Sequence, residues 1–480
     1  MGAPTKSRRL IDLPGSDPGM SAHERLYRRI RSLVLNGALP NGSSLASSRT
    51  LAKHLGMSRN SVLTAFDRLI ADGWLTARKS SGVYVTYAGG AKPRKHAELF
   101  PSEEPKPFCL EARALDVFPA RVWSTLQSRR WKAISSANLH MGDAQGWTPL
   151  REAIAAHAAL TRGIDCTPDE VMVTTTVPAG IDLAVRALGL TGAEAWVEEP
   201  GYLAAKRALQ NNAVRLAPVR VDSTGLDVGH GKRVAPDAKI AAVMPACHFP
   251  TNVAMSAARR TELLEWARFN KAWIFEDDYD WQSITATTSP KPIASKCRAN
   301  VIYLNSFNPM LFPALRIAYM ICPAALVDRF AAVRFGLDQH SNVPNQMVMT
   351  DFIEGGHLDQ HLRRLREVYA ERRATLLRAL ESELPERMSA QRQPAGTQVV
   401  ATLRNLLERP LLARCSASGV RLAGLREFRL VETGCEEIVF GFAGFSPTVI
   451  AAAVRKMSAA IEGDADAGFG DTIGMAGNFG

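Results

Sequence analysis

Apolar positions near the start of the chain recur at helical spacing. Leu26, Ile30, Leu33 and Val34 form one stripe, and Gly37 closes that helix. A turn follows at 39–42, and Ser47 or Ser48 is placed to cap a short helix that ends at Gly56. Ser58 caps the next helix, whose stripe is Val62, Phe66, Leu69 and Ile70 and which Gly73 ends. β-Rich runs at 74–78 and 83–85, joined by Lys79-Ser80-Ser81-Gly82, predict a strand pair with a basic tip. Residues 87–107 have no apolar period and much Gly, Pro and charge, which predicts a linker. From 108 to 462 the pattern changes. Short β-rich runs at 171–175, 194–198, 240–244, 272–275 and 302–305 alternate with amphipathic helices, as in a layered α/β fold. Residues 1–21 and the Gly-rich stretch 463–480 read as flexible ends.

Charge divides the chain at the same place. Residues 1–95 hold 16 Lys or Arg against 5 Asp or Glu, so the whole net charge of +11 lies there and the remainder is neutral. A basic head on a neutral body points to a module for a polyanion, and nucleic acid is the obvious one. At 480 residues the chain exceeds one core, and its 46 % apolar, 22 % charged composition is that of a soluble globular protein. No apolar run approaches the ~18 residues of a membrane span. Seven scattered cysteines without a CxxC pair suit reduced thiols in the cytoplasm.

Two short helices around a glycine turn follow the helix-turn-helix plan, in which the second helix enters the major groove N-terminus first. That N-terminus reads Ser58, Arg59, Asn60, Ser61. Arg59 can reach a guanine edge or a phosphate, and Asn60 an adenine edge or a phosphate. Over 22–86 the sequence resembles the winged helix of GntR-type regulators. The resemblance implies that Arg49, Ser58, Arg59 and Asn60, with Lys79 and Ser80 on the wing, contact double-stranded DNA. Leu63 stands where many such regulators have another Arg, so their base preference does not carry over.

In the body the segments GDAQGWTPLREAIAAH (142–157), EEPGY (198–202), FPT (249–251), EDDYD (276–280) and SFNPMLFPALR (306–316) occur in that order. They resemble the fold type I aminotransferase body of MocR-type regulators, a GntR subgroup, and 356–373 resembles its helix near a small C-terminal subdomain. The resemblance implies a mixed, mainly parallel sheet flanked by helices. It also implies a homodimer that binds promoter DNA through its heads and a small-molecule effector through its body.

Pyridoxal 5′-phosphate (PLP) is the cofactor of that family. A PLP site needs an aldimine lysine, a carboxylate against the pyridinium nitrogen, donors around the phosphate and a ring stacked on the pyridine. By the resemblance Asp277 is placed for the carboxylate, Tyr279 for the ring hydroxyl, Tyr202 for stacking and Arg316 for the phosphate. The lysine is missing. Where relatives read SFSK before TLFPGLR, this chain has Ser306-Phe307-Asn308-Pro309 before MLFPALR. Proline offers no amine and no backbone N–H, and no lysine lies between Lys296 and Lys456.

Three further departures accompany it. The turn that usually reads SGAQQ is Thr175-Thr176-Val177-Pro178-Ala179, the segment that usually reads PSHQFPTG is Pro245-Ala246-Cys247-His248-Phe249-Pro250-Thr251-Asn252, and Val439-Phe440-Gly441-Phe442-Ala443 occupies a stretch where relatives often carry an Arg. The expectation is a regulator without covalent PLP and without transaminase activity. A pocket that keeps PLP non-covalently through Tyr202, Asp277 and Arg316 stays the alternative. Cys247 and His248 are expected at the pocket mouth. No metal site is expected, although His357 and His361 share a helix face and 276–280 is acidic.

Overall fold

The computed structural model describes residues 10–13, 19–78, 82–86, 104–279, 290–393, 395–432, 434 and 436–462. Lys79, Ser80, residues 87–103 of the expected linker, most of the N-terminal segment and the Gly-rich stretch from 463 lie outside them. The chain divides into two compact units, residues 1–104 and 105–480.

In the first unit, helices α1 (Ala22–Leu35), α2 (Ser48–Leu55) and α3 (Arg59–Ala71) precede the hairpin β1 (Leu75–Arg78) and β2 (Gly82–Val85). Each helix begins on a serine hydroxyl: Ser21 accepts from Glu24 N, Ser47 from Thr50 N and Ser58 from Ser61 N. Gly56, in the left-handed region at φ +62°, makes the turn from α2 into α3. The core joins Leu26, Ile30 and Val34 to Leu51, Val62, Phe66, Leu69, Leu75 and Val85. Two details differ from expectation. Ala65 takes the buried place expected for Ile70, which sits half-buried in the last turn of α3. Residues 10–13 are not a free end: Ile11 is buried in this core, and Asp12 pairs with His54 at 2.8 Å.

The second unit is built on an eight-stranded sheet. Its strands are β3 (Val171–Thr174), β4 (Glu194–Glu199), β5 (Arg215–Asp222), β6 (Gly225–Leu226), β7 (Ile240–Val243), β8 (Trp273–Asp277), β9 (Val301–Ser306) and β10 (Ala318–Ile321). The order is β3-β10-β9-β8-β7-β4-β5-β6. The five strands from β9 across to β5 run parallel, and β10 lies antiparallel between β3 and β9. Strands such as β3 and β10 are buried along their whole length, which accounts for their continuous apolar runs. A smaller antiparallel sheet follows, of β11 (Met388–Ala390), β12 (Gln398–Leu403), β13 (Ala423–Gly424) and β14 (Glu437–Gly441). The long helix His357–Glu383 leads into it.

Six of the seven cysteines are described, and none is paired. Among the described residues no helix is long and apolar enough to cross a membrane.

Candidate functional site

In the first unit the candidate surface is the start of α3. Arg49, Arg59 and Asn60 are exposed there, and Arg59 Nε lies 3.5 Å from Ser48 Oγ. Ser58 and Ser61 are tied to one another: Ser58 Oγ accepts from Ser61 N at 3.1 Å and lies 2.9 Å from Ser61 Oγ. The cap orients the turn and leaves Arg59 and Asn60 projecting.

In the second unit, chemistry collects at the carboxyl ends of the parallel strands, where open α/β sheets bind ligands. A cavity of about 620 Å³ lies there. Tyr202, Asp277, Tyr279, Pro309 and Arg316 all line it, so the five residues singled out from the sequence do meet. Strand alternation explains the acidic run at the end of β8. Asp278 turns away from the cavity and meets Arg162 in a fully buried fork, with Oδ2 at 2.6 Å from Nε and Oδ1 at 2.9 Å from Nη2; Tyr303 OH donates to the same Oδ2 at 2.7 Å. Glu276 accepts the amides of Ile293 and Ala294 at 2.6 and 2.8 Å. Asp277, between them, faces the cavity and makes no hydrogen bond to a described residue. Burial, with Asp278 and Glu276 beside it, pushes its carboxyl up to about 8. Burial likewise pushes the Tyr202 phenol up to about 12. The described residues contain no cluster able to hold a metal.

Thr176, Val177 and Pro178 form another part of the cavity wall. Helix Val177–Leu188 begins there, but Thr176 Oγ1 accepts the Ala179 amide at 3.1 Å and Pro178 has no N–H to offer. Asn308 spans the same corner, donating to Thr175 O at 3.0 Å and accepting from Ile317 N at 2.8 Å. Arg316, held at φ +58° and exposed, makes no hydrogen bond or salt bridge to a described residue. Among the described residues no lysine lines the cavity. Lys206, buried behind Tyr202, has its ammonium on Glu199 Oε2 at 2.7 Å and Phe428 O at 2.9 Å.

Cys247 and His248 are not at the mouth of the cavity. Both are buried, because the 245–252 turn folds inward; His248 Nδ1 and Nε2 lie 2.7 Å from Thr251 Oγ1 and 3.0 Å from Pro200 O. Burial lowers its imidazole to about 3. Phe249 takes the lining position instead. His361 is also structural, with Nε2 at 2.9 Å from Met310 O.

Sequence reasoning missed one wall. Residues 107–113 run as a strap across the small sheet: Gly441 N donates to Phe108 O at 3.0 Å, Arg421 N donates to Pro107 O at 2.9 Å, and Phe108 packs edge-on against Phe440 at 5.2 Å. This strap brings Phe108, Glu111 and Arg113 into the cavity, which Arg207 and Arg421 also line. Arg113 donates to Thr397 Oγ1 at 3.1 Å and lies 3.5 Å from Tyr279 OH. The available signal was Gly441 and Gly444. A Cβ on Gly441 would come within 2.6 Å of Cys109 O, and one on Gly444 within 2.5 Å of Ala112 Cβ, so both positions require glycine for the strap to seat.

Comparison with known proteins agrees with these two units. Residues 22–85 match the family described as bacterial regulatory proteins, gntR family, and residues 114–455 match aminotransferase class I and II. The chain is 28 % identical over 467 residues to a protein of Rhizobium meliloti named probable rhizopine catabolism regulatory protein MocR, covering 92 % of this chain and 94 % of that protein. It is 28 % identical over 469 residues to the HTH-type pyridoxine biosynthesis transcriptional regulator PdxR of Corynebacterium glutamicum, covering 94 % and 99 %. Among solved structures, a multiple substrate aminotransferase from Thermococcus profundus superimposes with a TM-score of 0.69 at 24 % identity, covering 76 % of this chain and 93 % of that one, a likeness of fold. The chain therefore belongs to the aminotransferase class I and II family, with a gntR-type winged helix-turn-helix ahead of the aminotransferase fold.

Proposed function

We propose that this protein is a transcriptional regulator of the MocR type, whose head reads duplex promoter DNA and whose aminotransferase-like body senses a small molecule and forms a homodimer. The gntR match at 22–85 and the regulators among its full-length relatives support the function, and the head's excess of basic residues supports the partner. Arg49, Ser58, Arg59, Asn60 and Ser61, with Lys79 and Ser80 of the wing, are the proposed DNA contacts. Exposed Trp131, Leu139 and Met141 support a second copy against the body. The strap supports coupling, because the chain leaving residue 103 becomes a wall of the cavity at 108–113. A ligand that favours one strap position biases the linker only by its differential affinity for the two positions.

We read Pro309 as standing at the position of the family's aldimine lysine, and the body as neither forming a covalent PLP bond nor transaminating. The observation that carries this is the cavity lining, which offers an acid, tyrosines and arginines but no amine, beside a helix N-terminus already capped by Thr176. The described residues thus do not fit covalently held PLP. A second reading, PLP held without a covalent bond, is favoured by one observation: the buried Asp277 carboxyl lacks a described partner. The purified protein is expected to show no cofactor absorbance after dialysis and no borohydride-fixed pyridoxyl group, and to bind promoter fragments with an affinity that falls steeply with salt. Absorbance that survives dialysis but not denaturation would favour the second reading. A borohydride-fixed adduct would defeat both.

A further inference from the structure

We infer that the body cavity takes a small, flat dicarboxylate, bound reversibly between arginine side chains, rather than a phosphate ester; this rests on the reading that the cavity is the effector site. Four guanidinium groups line it, on Arg113, Arg207, Arg316 and Arg421, against the carboxyl groups of Glu111, Asp277 and Glu427. Two of those acids are engaged locally. Glu111 accepts from Cys109 Sγ at 2.8 Å, and Glu427 accepts from Gly424 N at 2.9 Å. Asp277 is mainly a neutral acid at pH 7, so the lining is cationic on balance. The side chains of Arg207, Arg316 and Arg421 are exposed to the cavity and make no hydrogen bond or salt bridge to any described residue. Three guanidinium groups that bond to no described residue therefore give the cavity a positive field, which attracts an anion.

The shape of the donors selects the anion. A guanidinium fork meets a planar carboxylate with two parallel N–H···O bonds. Phosphate groups are commonly bound by amides at a helix N-terminus, and here Thr176 and Pro178 remove two of the first three. Asn308 further braces that corner between Thr175 and Ile317. Arginine side chains therefore supply most of the positive charge. Aromatic walls favour a ligand with a flat apolar face. Phe249 packs edge-on against Tyr202, Tyr279 and Phe428, at centroid distances of 6.0, 5.9 and 5.2 Å, so that aromatic surfaces border the cationic cavity. A volume of about 620 Å³ suits a ligand of one ring with its substituents.

Calorimetric titration of the full chain with benzene-1,3-dicarboxylate, benzoate, benzamide, phenyl phosphate and PLP tests this. The dicarboxylate is expected to bind one per chain, at least roughly tenfold more tightly than benzoate and more tightly than either phosphate ester. Arg316→Gln and Arg421→Gln should each weaken it at least roughly tenfold while leaving benzamide unchanged. Arg207→Gln, at an exposed helical position, serves if either of those fails to fold. Equal binding of benzamide and dicarboxylate, or tighter binding of phenyl phosphate or PLP, overturns the inference. A promoter gel shift separates the two layers. Dicarboxylate that binds in the calorimeter yet leaves DNA affinity unchanged defeats the effector reading and leaves the ligand class standing.

Discussion

Helix α3 in the head and helix Val177–Leu188 in the body start with the same local chemistry and end up with opposite uses. Each N-cap is a hydroxyl accepting a backbone amide three residues on, Ser58 from Ser61 and Thr176 from Ala179. In α3 the residues after the cap are Arg59 and Asn60, exposed, with Arg49 of α2 exposed as well. In the body helix they are Val177 and Pro178, and Asn308 bonds across the neighbouring strand end. A helix N-terminus is a site for anions only when its donors are left pointing outward. Helix α3 keeps two of its first three amides uncapped with cationic side chains beside them, whereas the body helix loses two of its first three to Thr176 and Pro178. On the reading proposed above, the aminotransferase scaffold is kept whole while the few groups that would hold its anion are changed.

The largest expected effect tests whether that scaffold is as rigid as the comparison requires. Arg162→Ala leaves Asp278 buried without its partner, a change that costs about 3–5 kcal/mol. Chemical denaturation followed by tryptophan fluorescence should show the body unfolding at much lower denaturant. A shift below about 1 kcal/mol would mean that the Arg162–Asp278 fork does not hold the end of β8, and Asp277's aim into the cavity would need another cause.

Asp277 itself gives a pH signature. Its folded-state carboxyl lies near 8 against the usual unfolded value near 4, so between those values the folded chain holds more protons than the unfolded one. Stability from this group is therefore present below about pH 4 and is lost as pH rises toward 8, with a limiting slope of about 1.4 kcal/mol per pH unit for one proton. Glu276, pushed up to about 7 by burial, acts in the same direction. Asp277→Asn should flatten the fall of the melting temperature between pH 5 and 8 without abolishing it. An unchanged slope would show Asp277 ionised in the free protein, which weakens the case for a cationic cavity.

How much of this was legible in the sequence differs between the two regions for a physical reason. The head is local. Caps, a glycine at φ +62° and a helical stripe all act within a few residues, so α1 to α3 and the wing could be read with errors as small as Ile70 for Ala65. In the body the five strands read from the sequence are present, because strands buried on both faces are apolar along their length, although β10, equally buried, was not read. The strand β5, half-exposed in an irregular pattern, did not stand out, and neither did the short strands of the small sheet. The site residues Tyr202, Asp277, Tyr279, Pro309 and Arg316 were found through motifs. Arg113, Arg207 and Arg421 were not, since they reach the cavity from the strap, a helix and the loop before β13 with no shared spacing. His248 was misplaced because nothing in its neighbours announces that the turn folds inward.

On the head's side of the comparison, Arg59→Ala should weaken binding to the natural promoter by about 1–3 kcal/mol and relax discrimination at one base position. Competition gel shifts with single-base variants of the site would measure both. A uniform loss across all sequences, with a salt slope lower by about one, would reassign Arg59 from a base edge to a phosphate.

The smallest effect bears most directly on the contrast between the two helix ends. Removing the body helix cap and its proline together, as Thr176→Ala with Pro178→Ala, frees the Ala179 amide and supplies a new one at 178. Loss of the cap should cost roughly 1 kcal/mol of body stability, a shift of a few degrees or less in melting temperature. The same change should raise affinity for phenyl phosphate, because it adds two amide donors at the helix start that borders the cavity. Calorimetry would read the gain, and the parallel experiment, Ser58→Ala in the head, should lose stability by a similar amount and gain nothing for phosphate esters. If the opened helix still ignores phenyl phosphate, then Asn308 rather than the cap closes that corner. The next variant would be Asn308→Ser, which removes the bridge between Thr175 and Ile317.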